Sequence, residues 1–242
     1  MSDKKRFREL LEKSNYIVFF GGAGVSTESN IPDFRSVDGL YNQNWAYPPE
    51  TILSHGFFIK NPEEFYRFYY EKILIDNVEP NKAHYALAKL EKMGKLKAIV
   101  TQNIDGLHQM AGSRAVYELH GTVLKNHCTK CHEAYDSDFV KISKPVPLCR
   151  DCGGIIKPDV VLYGEGLDMN TVNEAVRHIS NADLLIVGGT SLVVYPAASL
   201  VNYYRGDNIV LINKDYTGLD NSADIIFRDK IGEVLAEAVK DL

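Results

Sequence analysis

The 242 residues, 45% apolar and 24% charged, suffice for one globular unit or two modest lobes. No apolar run approaches the roughly 20 residues that cross a bilayer, which excludes a membrane-spanning helix. A net charge of -5 speaks against a generic binder of nucleic acid or anionic membranes and leaves room only for a local basic patch.

The opening, Met1-Ser-Asp-Lys-Lys-Arg-Phe-Arg-Glu9, reads as a polar helix. It lacks the apolar core and small-residue cleavage site of a secretory leader, so the expected location is cytoplasmic. Tyr16-Ile-Val-Phe-Phe20 follows as a short buried strand, and Gly21-Gly-Ala-Gly24 as a turn able to approach phosphate closely. A dinucleotide fingerprint would continue with another glycine and a long helix. Here Ser26-Thr-Glu-Ser-Asn30 runs into Ile31-Pro-Asp-Phe-Arg35, and Pro32 cuts any helix short.

Pro62 to Ile73 reads as a helix with aromatic residues on more than one face. Lys82 to Met93 is a second helix, ended by Gly94. Lys97–Thr101 is a strand, and Ala182–Gly188 is an apolar run typical of a strand covered on both faces. Asn208–Asn213 and Ala223–Phe227 add two strands, and Gly232–Leu242 closes as a helix. Alternating helices and buried strands predict an α/β fold with a Rossmann-like parallel sheet. Residues 125–154, with Pro145-Val-Pro147 and little periodicity, interrupt that alternation and read as a smaller inserted lobe. The expected division of the single domain is a large lobe over about 1–41, 78–124 and 155–242. The small lobe takes a helical part, about 42–77, and about 125–154.

All four cysteines lie in that insertion, as Cys128-Thr-Lys-Cys131 and Cys149-Arg-Asp-Cys152, with 17 residues between the pairs. Two such knuckles at that separation match a tetrahedral four-thiolate zinc site. Gly153-Gly154 suits the tight turn in which backbone donors face thiolates. Two disulfides or four unrelated thiols are the plainer readings. Disulfides are disfavoured without a secretion signal, and clustering of every cysteine within 25 residues argues against coincidence. Four thiolates close the shell and leave no place for water, so one Zn2+ here is structural.

Polar residues gather just past the carboxyl ends of the predicted strands, where such sheets bind ligands. They are Gly21 to Arg35, Gln102-Asn-Ile-Asp-Gly-Leu-His108, Gly189-Thr-Ser-Leu192 and Asn213-Lys-Asp215. Singly each has a plain reading as a turn or a helix cap. Four at corresponding strand ends point to one ligand site.

Taken together, Gly22-Ala-Gly-Val-Ser-Thr-Glu-Ser29 with Ile31-Pro-Asp-Phe-Arg35, Thr101-Gln-Asn-Ile-Asp-Gly-Leu-His108, Glu118-Leu-His-Gly-Thr122, the two cysteine pairs and Gly189-Thr-Ser-Leu-Val-Val-Tyr-Pro-Ala197 resemble the sirtuins. These are NAD-dependent protein lysine deacylases, and the motifs run in family order along nearly the whole chain. The short ends look like a minimal bacterial or archaeal-type catalytic core.

The resemblance implies that the segment after the glycine turn is a loop folding over the nicotinamide end of NAD+, where a continuous helix would obstruct. Ala23 and Thr27 would lie along pyrophosphate and ribose, Phe34 would shield the reactive face, and Arg35 would pair with phosphate. Gln102, Asn103, Ile104 and Asp105 would form the nicotinamide pocket, with Asp105 accepting from the carboxamide. Thr190 and Ser191 would face phosphates or ribose, Asn213 the adenosine ribose and Ile231 the adenine. In this family the nicotinamide–ribose bond is cleaved, the acyl oxygen captures the anomeric carbon, and a base deprotonates a ribose hydroxyl. Histidine suits that task, with an unperturbed pKa of roughly 6.5. Among seven histidines, His120 matches the family base. His108 reads as structural. His127 and His132, beside the cysteines, read either as neighbours of the metal shell or as exposed side chains.

Lys157-Pro-Asp-Val-Val-Leu-Tyr-Gly-Glu165 resembles the family strand that receives acetyl-lysine proteins as an extended strand, with Val161 and Tyr163 lining the acyl tunnel. Sirtuins commonly have Gly in place of Asn30, Arg in place of Lys157 and Phe in place of Tyr163. Members that prefer succinyl-lysine carry Tyr and, three residues on, Arg in a helix over the tunnel; this chain has Tyr66 and Tyr69. Those aromatics read either as that roof or as helix core, and both readings disfavour acidic acyl groups. An oxidoreductase would need an acidic residue on a second strand soon after the glycines, which is missing. A zinc-ribbon module for nucleic acid would need a basic face, whereas residues 125–154 are nearly balanced in charge. Protein ADP-ribosyl transfer is the closer rival, disfavoured by His120. No direct nucleic-acid or membrane partner is expected.

Overall fold

In the computed structural model, which describes residues 2–34, 39 and 45–242, the alternation seen in the sequence becomes a six-stranded parallel sheet. Helix α1 (Asp3–Lys13) is capped by Ser2 and sends Phe7 and Leu11 into the core. Strand β1 (Ile17–Gly21) is buried along its whole length. Three short helices follow: α2 (Pro49–Ile52), α3 (His55–Lys60) and α4 (Pro62–Phe68). The last continues as one wider π-helical turn over Tyr69–Ile73. Helix α5 (Lys82–Lys92) starts at a capping box between Asn81 and His84. It stops where Gly94 takes φ +73°, a left-handed conformation that glycine adopts freely.

Strand β2 (Leu96–Thr101), the short α6 (Leu107–Met110) and β3 (Val116–Glu118) come next. The small sheet and its helix follow as β4 (Gly121–Cys128), β5 (Ala134–Asp136), α7 (Ser137–Ile142) and β6 (Ile156–Val160). The chain then returns through α8 (Met169–Asn181), β7 (Leu184–Gly188), β8 (Ile209–Ile212), β9 (Ile225–Phe227) and α9 (Ile231–Ala238).

The large sheet has the order β3-β2-β1-β7-β8-β9, the strand order of a doubly wound sheet, although β8 and β9 are joined without a helix. Successive side chains of a strand face opposite ways, and β1 displays this directly. Ile17 and Phe19 join the core beneath α1, α5 and α9, while Val18 and Phe20 join the core beneath α8 and residues 197–203. Both faces are covered, which is why β1 and β7 are apolar runs rather than alternating ones.

The antiparallel sheet β5-β4-β6 shares a third core with residues 52–74. Phe65, Tyr66, Phe68 and Tyr69 are fully buried in it, and the Tyr66 hydroxyl donates to the Ile156 carbonyl on β6. The aromatic run therefore forms helix core in this structure. Among the described residues no helix is long and apolar enough to cross a membrane.

Candidate active site and metal centre

Strand order reverses between β1 and β7, and sheets of this type bind ligands outside the carboxyl ends at such a reversal. The glycine turn leaves β1 here and presses against the turn leaving β7. Gly22 N–H donates to the Gly188 carbonyl at 3.3 Å and Gly24 N–H to the Gly189 carbonyl at 2.8 Å. A Cβ on Gly24 would sit 2.8 Å from Gly189 Cα, and one on Gly189 2.4 Å from Val25 N. Two backbones in contact permit no side chain between them. Beyond Gly22 the chain makes two single turns of 3-10 helix, Ala23–Val25 and Thr27–Ser29. They end at Asn30, whose φ of 63° and ψ of 22° take the left-handed conformation that asparagine tolerates better than most side chains.

The end of β2 is fastened to this loop. Gln102 N–H donates to the Gly21 carbonyl at 3.0 Å, and its side-chain amide donates to Thr190 Oγ1 at 3.0 Å. Asn103 Nδ2 donates to Ser26 Oγ at 3.0 Å, and Ser26 Oγ donates to Asp105 Oδ2 at 2.7 Å. Asp105 Oδ1 accepts from Leu107 N–H at 2.9 Å. Asn81, at the start of α5, donates to the Val25 carbonyl at 2.8 Å and to Ser29 Oγ at 3.0 Å. The structure thus brings Gln102, Asn103, Asp105 and Thr190 together with the glycine turn, whereas Ile104 packs against the small-lobe core and its carbonyl accepts from Val123 N–H at 3.0 Å.

His120 follows β3, the next strand along. Its Nδ1 lies 3.0 Å from the Gln102 carbonyl, which accepts only hydrogen bonds and therefore fixes the proton on Nδ1. Nε2 is left as the acceptor. Burial holds this imidazole below the ordinary histidine pKa, against the opposing pull of the Gln102 carbonyl, so it is neutral at neutral pH. Gly121, at φ +73°, lets β4 pass β6: a Cβ there would lie 1.8 Å from the Asp159 carbonyl oxygen.

Val161 N–H donates to the His120 carbonyl at 2.9 Å, so the segment after β6 runs beside His120. Tyr163 is 40% exposed and exchanges backbone hydrogen bonds with Leu53 and His55. Of the remaining sequence candidates, Ala23 and Phe34 are half-buried and Thr27 and Ser191 exposed. Asn213 is half-buried past the end of β8, its side-chain amide donating to the Asp215 carbonyl at 2.9 Å. Ile231 opens α9 and is only 5% exposed, with its Cδ1 against Gly188. Arg35 lies outside the described residues. His108 is buried against His84, ring centroids 4.8 Å apart, and His127 pairs with Asp159.

In the small lobe the four cysteine sulfurs lie within 4.8 Å of one another. Cys128 and Cys152 are 3.4 Å apart, Cys131 and Cys149 3.5 Å. A disulfide would require about 2.05 Å, whereas a tetrahedron with metal–sulfur bonds of about 2.3 Å has edges of roughly 3.8 Å. A Cβ on Gly154 would come within 2.7 Å of Cys128 Sγ, so the second knuckle closes on the first only with glycine there. Tyr135 donates its hydroxyl to Cys149 Sγ at 3.2 Å.

Sequence reading gave no site role to Ser26, Asn81, Glu165 or His55, and marked Lys157 only as a departure from the family pattern. Ser26 and Asn81 look like ordinary turn and cap residues until the fold places them against Asp105 and Val25. Their one sequence signal was Ser26's place inside the glycine motif.

A sequence model of the Sir2 family matches residues 22–196. The chain is 60% identical to the NAD-dependent protein deacetylase of Clostridium perfringens, over 99% of this chain and 100% of that protein. It is 57% identical to that of Clostridium tetani, over 100% of this chain and 99% of the relative. A solved Sir2 structure with p53 peptide and NAD+ superposes with a TM-score of 0.87 at 41% identity, covering 100% of this chain and 98% of that one. Another, of Sir2 with the inhibitor EX-527, 2′-O-acetyl-ADP-ribose and deacetylated p53 peptide, gives 0.85 at 40% identity over 98% of both chains.

Proposed function

The chain belongs to the Sir2 family, and from that premise we infer that it is an NAD-dependent protein lysine deacetylase, transferring the acetyl group of lysine to ADP-ribose with release of nicotinamide. NAD+, when bound, supplies the electrophilic ribose carbon that takes the acyl oxygen. The chain's own residues bind, orient and move a proton. The close-packed turns at Gly22–Gly24 and Gly189–Thr190 offer backbone to the pyrophosphate where no side chain intrudes. Ala23, Thr27, Phe34, Arg35, Thr190, Ser191, Asn213 and Ile231 complete the cofactor contacts in this reading. Asp105, held by Ser26, accepts from the carboxamide beside Gln102, Asn103 and Ile104.

His120 is the general base. The observation that carries the assignment is its Nδ1 hydrogen bond to the Gln102 carbonyl, which presents a neutral Nε2 able to take a proton from a ribose hydroxyl. Val161 and Tyr163 receive the acetyl-lysine of an extended peptide. Cys128, Cys131, Cys149 and Cys152 hold one structural Zn2+; the four-sulfur donor set and the space left by Gly154 support it. Incubation with NAD+ and an acetyl-lysine peptide, followed by mass spectrometry, tests the reading. Nicotinamide and acetyl-ADP-ribose should appear together. Peptide carrying ADP-ribose, with the acetyl group still in place, would replace it with ADP-ribosyl transfer.

A further inference from the structure

Lys157 is only 9% exposed. Its ammonium has three protons and no acceptor. Three acceptors surround it: the Pro158 carbonyl at 3.2 Å, the Val160 carbonyl at 2.9 Å and Glu165 Oε2 at 3.1 Å. Glu165 is equally committed. Its Oε2 also accepts from Leu162 N–H at 2.8 Å, and its Oε1 lies 2.8 Å from His55 Nδ1. Burial would raise this carboxyl, yet the Leu162 N–H, His55 and the Lys157 charge together hold it below the ordinary range. Charged and hydrogen-bonded on both oxygens, it closes residues 158–165 into a loop.

The enclosed residues are those that face the substrate in the reading above. Within the loop, the N–H groups of Val161, Leu162 and Tyr163 go to the His120 carbonyl, the Glu165 carboxylate and the Leu53 carbonyl. His55 N–H returns to the Tyr163 carbonyl at 3.0 Å. The wall that faces the acyl-lysine in that reading is therefore held by hydrogen bonds within the chain. None of these hydrogen bonds reaches the glycine turn, Thr190 or Asp105.

We propose that Lys157, with Glu165 and His55, is a positioning clamp that sets the affinity for the acyl-lysine peptide and leaves NAD+ affinity unchanged. This rests on the deacetylase reading and on Val161 and Tyr163 lining the peptide site. Without the ammonium, two carbonyls and a half-buried carboxylate each lose a donor. Residues 158–165 then sample other conformations, and the peptide must order them on binding.

The test is steady-state kinetics of the zinc-loaded full chain with an acetyl-lysine peptide, alongside direct binding of a fluorescent acetyl-lysine peptide. Lys157→Met should raise peptide KM and Kd by about tenfold or more, with kcat and the KM for NAD+ within about threefold. Lys157→Arg should keep peptide KM within about threefold of the parent, since guanidinium supplies at least as many donors. Unchanged peptide KM in Lys157→Met, or an equal rise in the KM for NAD+, overturns the proposal. If Lys157→Met does not fold, the exposed His55→Ala decides, because it removes one arm of the clamp: peptide KM should rise about threefold, and no rise overturns it. A parent protein that makes no acetyl-ADP-ribose would instead sink the deacetylase reading.

Discussion

Ser26 Oγ donates to Asp105 Oδ2 at 2.7 Å, joining the loop after β1 to the loop after β2, its neighbour in the sheet. The same hydroxyl accepts from Asn103 Nδ2 at 3.0 Å and is 1% exposed. Ser26→Ala leaves both partners short of a hydrogen bond, which costs about 1–3 kcal/mol for a buried polar group. The expected outcome is a lowered Tm and a KM for NAD+ raised by about tenfold or more, larger than the change in peptide KM. Unchanged NAD+ kinetics would show that Asp105 keeps its place without Ser26.

His120→Ala should retain NAD+ binding, measured by calorimetry, and lose about 10²–10⁴-fold in deacetylation. The pH profile is a finer test. Because burial lowers this imidazole's pKa, the base stays neutral, and activity holds, as pH falls to the ordinary histidine value near 6.5. The acidic limb of kcat/KM should therefore fall below that value. A limb centred above it would contradict the buried, neutral state.

A different pair, His84 and His108, contributes to stability in acid. Burial pushes His84 down to about 4, against Asp105, and pushes His108 down to about 3, helped by His84. Both have folded-state values below the unfolded one, so their stabilisation is full above about pH 6.5 and is lost as pH falls toward those folded values. Tm should drop steadily between about pH 6.5 and 4. His108→Phe should flatten that slope, and zinc content must be followed in parallel because thiolates also protonate. An equally steep slope in the variant would locate the acid sensitivity elsewhere.

Metal analysis should find one zinc per chain. Cys128→Ser or Cys152→Ser should release it and unfold the small lobe, since the binding energy of a structural zinc is folding energy. Cys128 is also part of the small-lobe core, so the damage should reach the packed aromatics there and appear in near-ultraviolet circular dichroism. A zinc-free protein with parental near-ultraviolet signal and activity would refute the structural role.

Acetyl-lysine should exceed succinyl-lysine in kcat/KM by about 10²-fold or more, the scale set by an uncompensated buried carboxylate. Tyr66 and Tyr69 are packed in the small-lobe core, with the Tyr66 hydroxyl committed to Ile156. Arg67 is on the surface, paired with Glu64. Matched peptides differing only in the acyl group make the comparison, and parity would require another cation beside the acyl chain.

Signals carried by neighbours in sequence were legible in advance. The apolar runs Ile17–Phe20 and Leu184–Val187 announce strands buried on both faces, Gly94 announces a helix end, and paired cysteines announce a four-sulfur cluster. Strand β3 was not legible, because Val116-Tyr-Glu118 is too short to show a period. Nor did 125–154 show its sheet: β4 begins before it and β6 lies after it, and the two meet only through long-range pairing.

The sequence by itself determined which residues are available for chemistry: the glycine turn, one histidine in a recognisable setting and four thiols. Tertiary structure alone decided their state. The tautomer of His120 depends on a carbonyl 18 residues away, the hold on Asp105 on a serine 79 residues away, and the aromatics at Tyr66 and Tyr69 on a sheet built later in the chain. Proton position, burial and hydrogen-bond commitment depend on distance in space, and a linear pattern encodes that only where the partners are close along the chain.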